Sequence, residues 1–254
     1  MTDSAVATSH KPIWTDLGSG DAAAARDFYA RLFDWDIHVS PDPQYGGYGR
    51  ALAAGKDAAG IGPKMSPDQP SAWAFYIGTD DAEATSRAVE AAGGKVIAPV
   101  FDVGDQGRMG VFQDPAGAFF SVWQPTGMGG FQADGAGTFA WAELEAKNRD
   151  AVLPFYAQVF GWGTRRSPMG PGQPEYVEFL VDGESIAGAN EPYGEGAPSH
   201  WLVYFGVDDV DASFDKAIGL GAKQLAEPQD FPGGRFAIIT DPEGAAFGLL
   251  KMSA

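Results

Sequence analysis

The sequence predicts an α+β protein of two tandem domains, each built from two modules with the order strand, helix and three strands. The clearest observation is that residues 107–123, two apolar runs around an Asp-Pro-Ala-Gly turn, recur at residues 234–250. The same spacing of 127 positions relates Trp14 to Trp141. At 254 residues, 44% of them hydrophobic, the chain is long enough to bury two cores.

The elements of the first half follow from caps, periodicity and turns. Asp21 is a good N-cap for a helix to about Phe33, and Gly93-Gly94 would close a second helix over residues 81–92. Pro154 falls inside the helix of the second half that matches the first one, so we expect that helix to begin late or bend. The predicted strands of the first half cover residues 12–17, 35–39, 49–53, 61–65, 71–78, 95–98, 109–112 and 119–123.

Domain boundaries follow from the duplication. We expect an N-terminal domain at residues 12–125, a Gly-rich linker at 126–136 and a C-terminal domain at 137–252. The two domains are expected to pack so that their open sheets are covered. Dimerisation is then less necessary, and the expected state is a monomer or a homodimer.

Composition excludes several function classes. A net charge of −17 disfavours nucleic-acid binding, and the chain has no cysteine for disulfides, thiolate metal sites or nucleophilic catalysis. No apolar run approaches the roughly 18 residues of a membrane span. The first eleven residues lack the features of a signal peptide, so we expect a cytoplasmic protein with no membrane contact.

Three motifs occur in the same order in both halves: a Phe-Tyr pair in the first helix, Phe-x-Trp just after it, and Asp-Pro-x-Gly in the last hairpin. Over residues 12–252 this order resembles the vicinal oxygen chelate superfamily of glyoxalases, bleomycin-resistance proteins and extradiol dioxygenases. Within it, the chain resembles tandem two-domain actinobacterial glyoxalase-like (27 kDa antigen-like) proteins. The resemblance implies that paired modules curl into a cup-shaped sheet, with a metal held by residues of its first, fourth, fifth and eighth strands.

The positions that the resemblance assigns to metal ligands hold unsuitable residues. Metal sites of this kind need three or four His or carboxylate ligands. No carboxylate is in register on the fourth strand, near residues 60–62 or 188–190. We therefore expect no metal and no other cofactor. The residues at the other three positions are Trp14, Ala74 and Ser121 in the first half and Trp141, Leu202 and Gly248 in the second.

Strand alternation predicts which side chains point into each cup, because residues two apart share a face. Both cups would be aromatic and carry one acid, which suits a flat, largely apolar small molecule. The inward residues are expected to be Trp14, Asp16, Tyr76, Phe119, Ser121 and Trp123 in the first half, and Trp141, Glu143, His200, Leu202, Tyr204 and Gly248 in the second.

Two functional hypotheses follow. The first is metal-independent binding of an antibiotic-like or polyketide-like aromatic metabolite in an aromatic cup. The alternative is a metal-independent lyase, isomerase or hydrolase that acts on such a metabolite. Its acid/base chemistry would use Asp16 or Glu143, helped by Tyr76, His200 or Tyr204.

Several of these residues have a structural alternative. Asp16 and Glu143 either act in catalysis or fix neighbouring strands through hydrogen bonds and ion pairs. Arg108 and Arg235 either form salt bridges at a strand start or bind a ligand oxygen. The loop of residues 38–50, with Tyr45 and Tyr48, is either a lid or an ordinary surface loop.

Overall fold

The computed structural model describes residues 10–169, 175–192 and 196–253. The N-terminal half contains β1 (Pro12–Ser19), α1 (Ala22–Phe33), β2 (Asp36–Val39), β3 (Gly49–Ala53), β4 (Lys56–Pro63), β5 (Ala72–Gly78), α2 (Ala82–Ala91), β6 (Lys95–Val103), β7 (Gly107–Gln113) and β8 (Phe119–Pro125). The C-terminal half contains β9 (Phe139–Glu145), α3 (Arg149–Phe160), β10 (Gly163–Ser167), β11 (Tyr176–Val181), β12 (Glu184–Asn190), β13 (His200–Gly206), α4 (Val210–Gly219), β14 (Lys223–Phe231), β15 (Gly234–Thr240) and β16 (Ala246–Met252).

The strands form two mixed sheets of eight, one from each half. Their orders are β2-β3-β4-β1-β5-β8-β7-β6 and β10-β11-β12-β9-β13-β16-β15-β14. Parallel pairing joins β1 to β4 and β5 to β8, and the second half repeats this with β9 to β12 and β13 to β16. The predicted α+β class and the module order are confirmed.

Helix starts largely follow the predicted caps. The Asp21 side chain accepts a hydrogen bond from the Ala24 amide at 3.0 Å, which satisfies one of the free N–H groups at the start of α1. Of the two alternatives predicted for α3, a late start or a bend, the late start is wrong, because α3 begins 127 positions after α1 despite Pro154. Burial of Phe155 and Tyr156 offsets the hydrogen bond that Pro154 cannot donate.

The strand β6 runs further than predicted. The sequence indicates a strand that ends at Ala98, before Pro99, whereas β6 continues to Val103. It is the last strand of its sheet, and its pairing with β7 shifts register between Val96 and Phe101. Proline is tolerated at sheet edges and bulges, which explains the difference.

The chain divides into two compact units that each take one module from either half. The first unit contains most of β5–β8 and β9–β12, and the second contains most of β1–β4 and β13–β16, since the boundaries fall within β1, β5, β9 and β13. The domain boundaries predicted from the duplication therefore stay a prediction. The first unit consists of residues up to Trp14, Phe75–Gly130 and Ala142–Trp201; the second consists of Thr15–Ala74, Phe131–Trp141 and Leu202–Ala254.

Each core lies between helices and one face of the strands. In the second unit Phe28 of α1 and Phe247 of β16 belong to the same cluster, with ring centroids 6.5 Å apart. Leu17 and Ile61 point into this core, so Asp16 and Gly60 lie on the opposite side of β1 and β4. We call this opposite side the inner face of the sheet.

Candidate functional site

The repeated Phe-Tyr and Asp-Pro-x-Gly motifs meet in the cores. Tyr156 of α3 donates a hydrogen bond to Asp114 Oδ2 at 2.9 Å and accepts one from Trp201 Nε1 at 2.8 Å. In the second unit Tyr29 donates to Asp241 Oδ2 at 3.2 Å and accepts from Trp73 Nε1. These motifs hold a helix of one half to the last hairpin of the other, so their role here is structural.

Burial determines the electrostatics of these pairs. It raises the pKa of the Tyr156 hydroxyl well above its usual value, and the neighbouring Asp114 charge adds to the effect. Burial also raises the pKa of the Asp114 carboxyl, against hydrogen bonds from the backbone and from Tyr156. Tyr156 therefore stays protonated and serves as a fixed donor.

The inner face of β5–β8, in the first unit, is aromatic. Antiparallel register places Phe101 beside Met109 and Met109 beside Trp123, while Tyr76 pairs with Ser121. Tyr76, Ser121 and Trp123 are buried, and Trp123 Nε1 donates to the Met128 carbonyl at 2.9 Å. Phe119 is 53% exposed and Phe101 38% exposed. The face therefore combines two exposed phenyl rings with buried aromatic side chains.

The inner face of β13–β16, in the second unit, is filled by its own side chains. Leu202, Tyr204, Ile238 and Leu250 are buried in one cluster, separate from the core under the helices. Trp141, Phe231 and Phe236 pack against it, and the ring centroids of Phe231 and Phe236 are 5.9 Å apart. This face has the predicted aromatic character, and its own side chains occupy the surface.

Tyr204 explains why position 248 is glycine. Tyr204 and Gly248 are register partners, and the phenol ring lies where a Cβ on Gly248 would be. A larger residue, including the Glu that the resemblance implies there, would overlap with this ring. Ser121 occupies the equivalent position in the N-terminal half, beside Tyr76.

The inner face of β1–β4, in the second unit, is polar. Asp16 pairs with Gly60, and Gly60 pairs with Arg50 on its other side. Arg50 Nε lies 2.7 Å from Oδ1 of the buried Asp57. The Tyr48 ring covers Gly60, a neighbour that sequence reasoning did not assign to the site. The unusual run Gly60-Ile61-Gly62 was the available signal, since it leaves room for a large side chain from elsewhere.

The inner face of β9–β12, in the first unit, carries the second predicted acid. Glu143 is buried, and its partner Gly188 also pairs with Glu178. Arg165 and Ser185 donate hydrogen bonds to Glu178 at 2.8 and 2.6 Å. These bonds lower the pKa of Glu178 from 4.5 to about 2, with the Arg165 hydrogen bond as the main cause.

The remaining predicted residues lie among structural contacts. Arg108 Nη2 is 3.0 Å from Glu83 Oε1 and Arg108 Nε is 3.0 Å from Asp102 Oδ1. Arg235 makes the equivalent pair of salt bridges, to Asp211 and Asp230. This is the geometry of the salt-bridge alternative. His200 Nδ1 lies 3.0 Å from the Pro198 carbonyl oxygen.

The residues present do not fit the metal that the resemblance implies. Within residues 10–169, 175–192 and 196–253, no group of three or more His, Asp or Glu side chains is arranged to hold an ion. Tyr204 fills the space beside Gly248, and Tyr48 fills the space beside Gly60.

The sequence also matches known families. Residues 11–122 match the Glyoxalase/Bleomycin resistance protein/Dioxygenase superfamily, and residues 141–250 match a glyoxalase-like domain. The chain belongs to this superfamily. Both of its halves are members, which confirms the tandem vicinal oxygen chelate organisation predicted from the repeated motifs.

Relatives share the full length of the chain. A putative glyoxylase from Mycobacterium bovis, CFP32, is 40% identical over 247 residues, which is 94% of each protein. The anthracycline biosynthesis protein DnrV from Streptomyces peucetius is 39% identical over 257 residues, covering 95% of this chain and 93% of DnrV.

Solved structures of the superfamily share the fold at low sequence identity. The Mn(II)-bound glyoxalase from Novosphingobium aromaticivorans superposes with a TM-score of 0.65 at 18% identity, covering 95% of this chain and 81% of that one. The 2,3-dioxygenase LapB from Pseudomonas sp. KL28 superposes with a TM-score of 0.63 at 13% identity, covering 96% of this chain and 93% of LapB. At this level of identity the likeness extends to the fold alone.

The helices are short. In the part of the chain that the structure describes, none combines the length and hydropathy that a bilayer crossing requires.

Proposed function

We propose that this protein binds a flat, largely apolar aromatic metabolite on the inner face of β5–β8, without a metal ion. The observation that carries the proposal is that Phe101 and Phe119 are exposed on the same sheet face as buried Tyr76 and Trp123. Exposed phenyl groups on a rigid aromatic surface favour stacking against a planar ligand. The anthracycline biosynthesis relative DnrV supports a role in secondary metabolism and a polycyclic ligand.

Metal independence rests on the side chains at the positions of the metal ligands. The ring of Tyr204 and the ring of Tyr48 fill the space at two of them. Affinity for the ligand should therefore survive treatment with EDTA and dialysis, and chelator-sensitive binding would contradict the proposal.

Binding is tested with 1,4-dihydroxyanthraquinone, followed by quenching of tryptophan fluorescence and by the rise in melting temperature. Phe119→Ala should weaken binding about tenfold, because it removes most of one stacking surface worth about 1.4 kcal/mol. Leu225→Ala is the matched control, since Leu225 is equally exposed at 58% on the edge strand β14. Absence of binding, or equal effects of the two changes, would contradict the proposed function.

A further inference from the structure

The side chains on the inner face of β5–β8 lie in three rows that run across the strands. Register places Gln113 beside Phe119 in the first row, and Phe101, Met109 and Trp123 together in the third. Successive rows on one face are about 7 Å apart, because a strand rises about 3.3 Å per residue. The middle row therefore lies between two rows of large side chains.

The middle row consists mostly of small side chains. Ala98 pairs with Val111, and Val111 pairs with Ser121, which is the parallel partner of Tyr76. Ala98 and Val111 are partly exposed, whereas Ser121 is only 3% exposed. These three small side chains leave a lower strip along the middle of the face, and Ser121 lies at its base.

Packing fixes the direction in which Ser121 points. Its neighbours Phe120 and Val122 are buried on the helix side of the sheet, and the Phe120 ring lies 6.0 Å from that of Phe155 of α3. Because side chains alternate along a strand, the Ser121 hydroxyl belongs to the inner face. A change of side would require the core residues of β8 to move with it.

The Ser121 hydroxyl is a polar group among apolar neighbours. Within residues 10–169, 175–192 and 196–253, no side chain or backbone group forms a hydrogen bond with it. A buried polar group without a partner lowers stability, so this hydroxyl favours the approach of a partner from outside the protein. Its oxygen is not among the unpaired side-chain atoms that the described part of the chain shuts off from solvent, so a ligand atom can reach it.

We propose that Ser121 Oγ anchors the ligand by donating a hydrogen bond to a carbonyl oxygen at one edge of its ring system. The inference rests on the proposed function, because the ligand is the same planar aromatic metabolite. The carbonyl gives the hydroxyl the partner that the protein does not provide, while the fused rings contact Phe119 and the lower strip. A hydrocarbon of the same shape excludes water and leaves the hydroxyl unpaired. The face therefore selects aromatic ketones and quinones.

The equivalent position of the C-terminal half cannot act in this way. Gly248 has no side chain to donate a hydrogen bond, and the Tyr204 ring fills the space beside it. Selection for a carbonyl group is therefore expected on the β5–β8 face and not on the β13–β16 face.

The test compares two probes of one ring skeleton, fluorenone, which has a carbonyl group, and fluorene, which has a methylene group in its place. Ser121→Ala should weaken binding of fluorenone about fivefold, as expected for loss of one hydrogen bond, and should leave fluorene binding unchanged. Isothermal titration calorimetry measures both affinities. Ser86→Ala is the matched control, since Ser86 lies on α2 and is partly exposed, and it should change neither affinity.

A second variant tests the location of the anchor. Val111→Phe raises the lower strip beside Ser121 and keeps the hydroxyl, so it should weaken binding of both probes. Circular dichroism establishes that each variant is folded. Unchanged affinity of Val111→Phe for both probes would show that they bind elsewhere and would overturn the anchor, whether or not Ser121→Ala folds.

The outcomes separate the two proposals. A wild-type protein that binds neither probe would overturn the proposed function and the anchor with it. Wild-type binding of both probes, with unchanged fluorenone affinity in Ser121→Ala, would overturn the anchor alone. Equal losses for the two probes in Ser121→Ala would do the same, because they would indicate altered packing and not a lost hydrogen bond.

Discussion

A buried tyrosine hydroxyl explains why the Phe-Tyr and Asp-Pro-x-Gly motifs occur together in both halves. Asp114 Oδ1 accepts the amides of Ala116 and Ala118, which shapes the turn, and its other oxygen accepts the Tyr156 hydroxyl. Residue types and spacing reveal both motifs in the sequence. Their pairing across the halves depends on how distant segments pack, which spacing alone does not contain.

Tyr156→Phe should lower the free energy of unfolding by about 2–3 kcal/mol. The change leaves the buried Asp114 oxygen and the Trp201 indole N–H without this partner, and buried unpaired groups carry the full cost of desolvation. Urea unfolding followed by circular dichroism measures the effect. Tyr45→Phe, at the partly exposed end of a surface turn, is the control. Equal midpoints for both variants would contradict the role assigned to Tyr156.

At the scale of elements, a salt bridge joins the antiparallel strands β10 and β11. Arg165 contacts both Glu178 oxygens at 2.8 Å, and the Glu178 pKa is lowered to about 2. The sequence analysis did not single out either residue. Charged residues on a strand resemble any solvated face, and only the register Arg165–Glu178 shows that they meet.

Glu178→Gln should destabilise the protein at pH 7 and have no effect near pH 2. Because the folded pKa lies below the ordinary value of 4.5, the stabilisation is present above about pH 4.5 and is lost as pH falls toward 2. We expect the free energy of unfolding to fall by about 1 kcal/mol at pH 7, because the Arg165–Glu178 pair is partly exposed. Urea midpoints at pH 7, 4.5 and 2.5 test this, with the exposed Glu90→Gln on α2 as control. A difference independent of pH would rule out the ionic cause.

Most elements could be predicted because their signals are local. Asp21 caps α1 where expected, α2 lies within the predicted range, and the strand alternation places Asp16 and Tyr204 on inner faces. The start of α3 and the continuation of β6 through Pro99 could not be predicted in this way. Packing of buried side chains overrides the local preference in α3, and the position at the sheet edge overrides it in β6.

At the scale of the whole molecule, each sheet comes from one half, whereas each compact unit combines both halves. In the second unit α1 packs on β13 and β16, with the ring of Phe33 5.1 Å from that of Phe205. One half alone would expose this surface to water. Duplication has therefore produced halves that complete one another's cores.

Residues 1–130 and 131–254 expressed separately should not unfold cooperatively as monomers, because each lacks the partner surface of its helices. Mixing the two fragments should restore a 1:1 complex with a cooperative thermal transition. Circular dichroism measures the cooperativity of unfolding, and light scattering after size-exclusion chromatography measures the stoichiometry of the complex. A single half that is monomeric and melts cooperatively would contradict the interleaved cores.

The sequence by itself determined the module order, the duplication, the superfamily and the inner-face position of Asp16 and Tyr204. These properties depend on local rules, since caps, turns and the two-residue alternation act within a few residues. Tertiary structure alone decided that Tyr48 lies over Gly60, that Tyr204 fills the space beside Gly248, and that Phe101 and Phe119 stay exposed on the β5–β8 face. The reason is physical: these contacts join residues far apart in the chain, and only packing sets the distances between them.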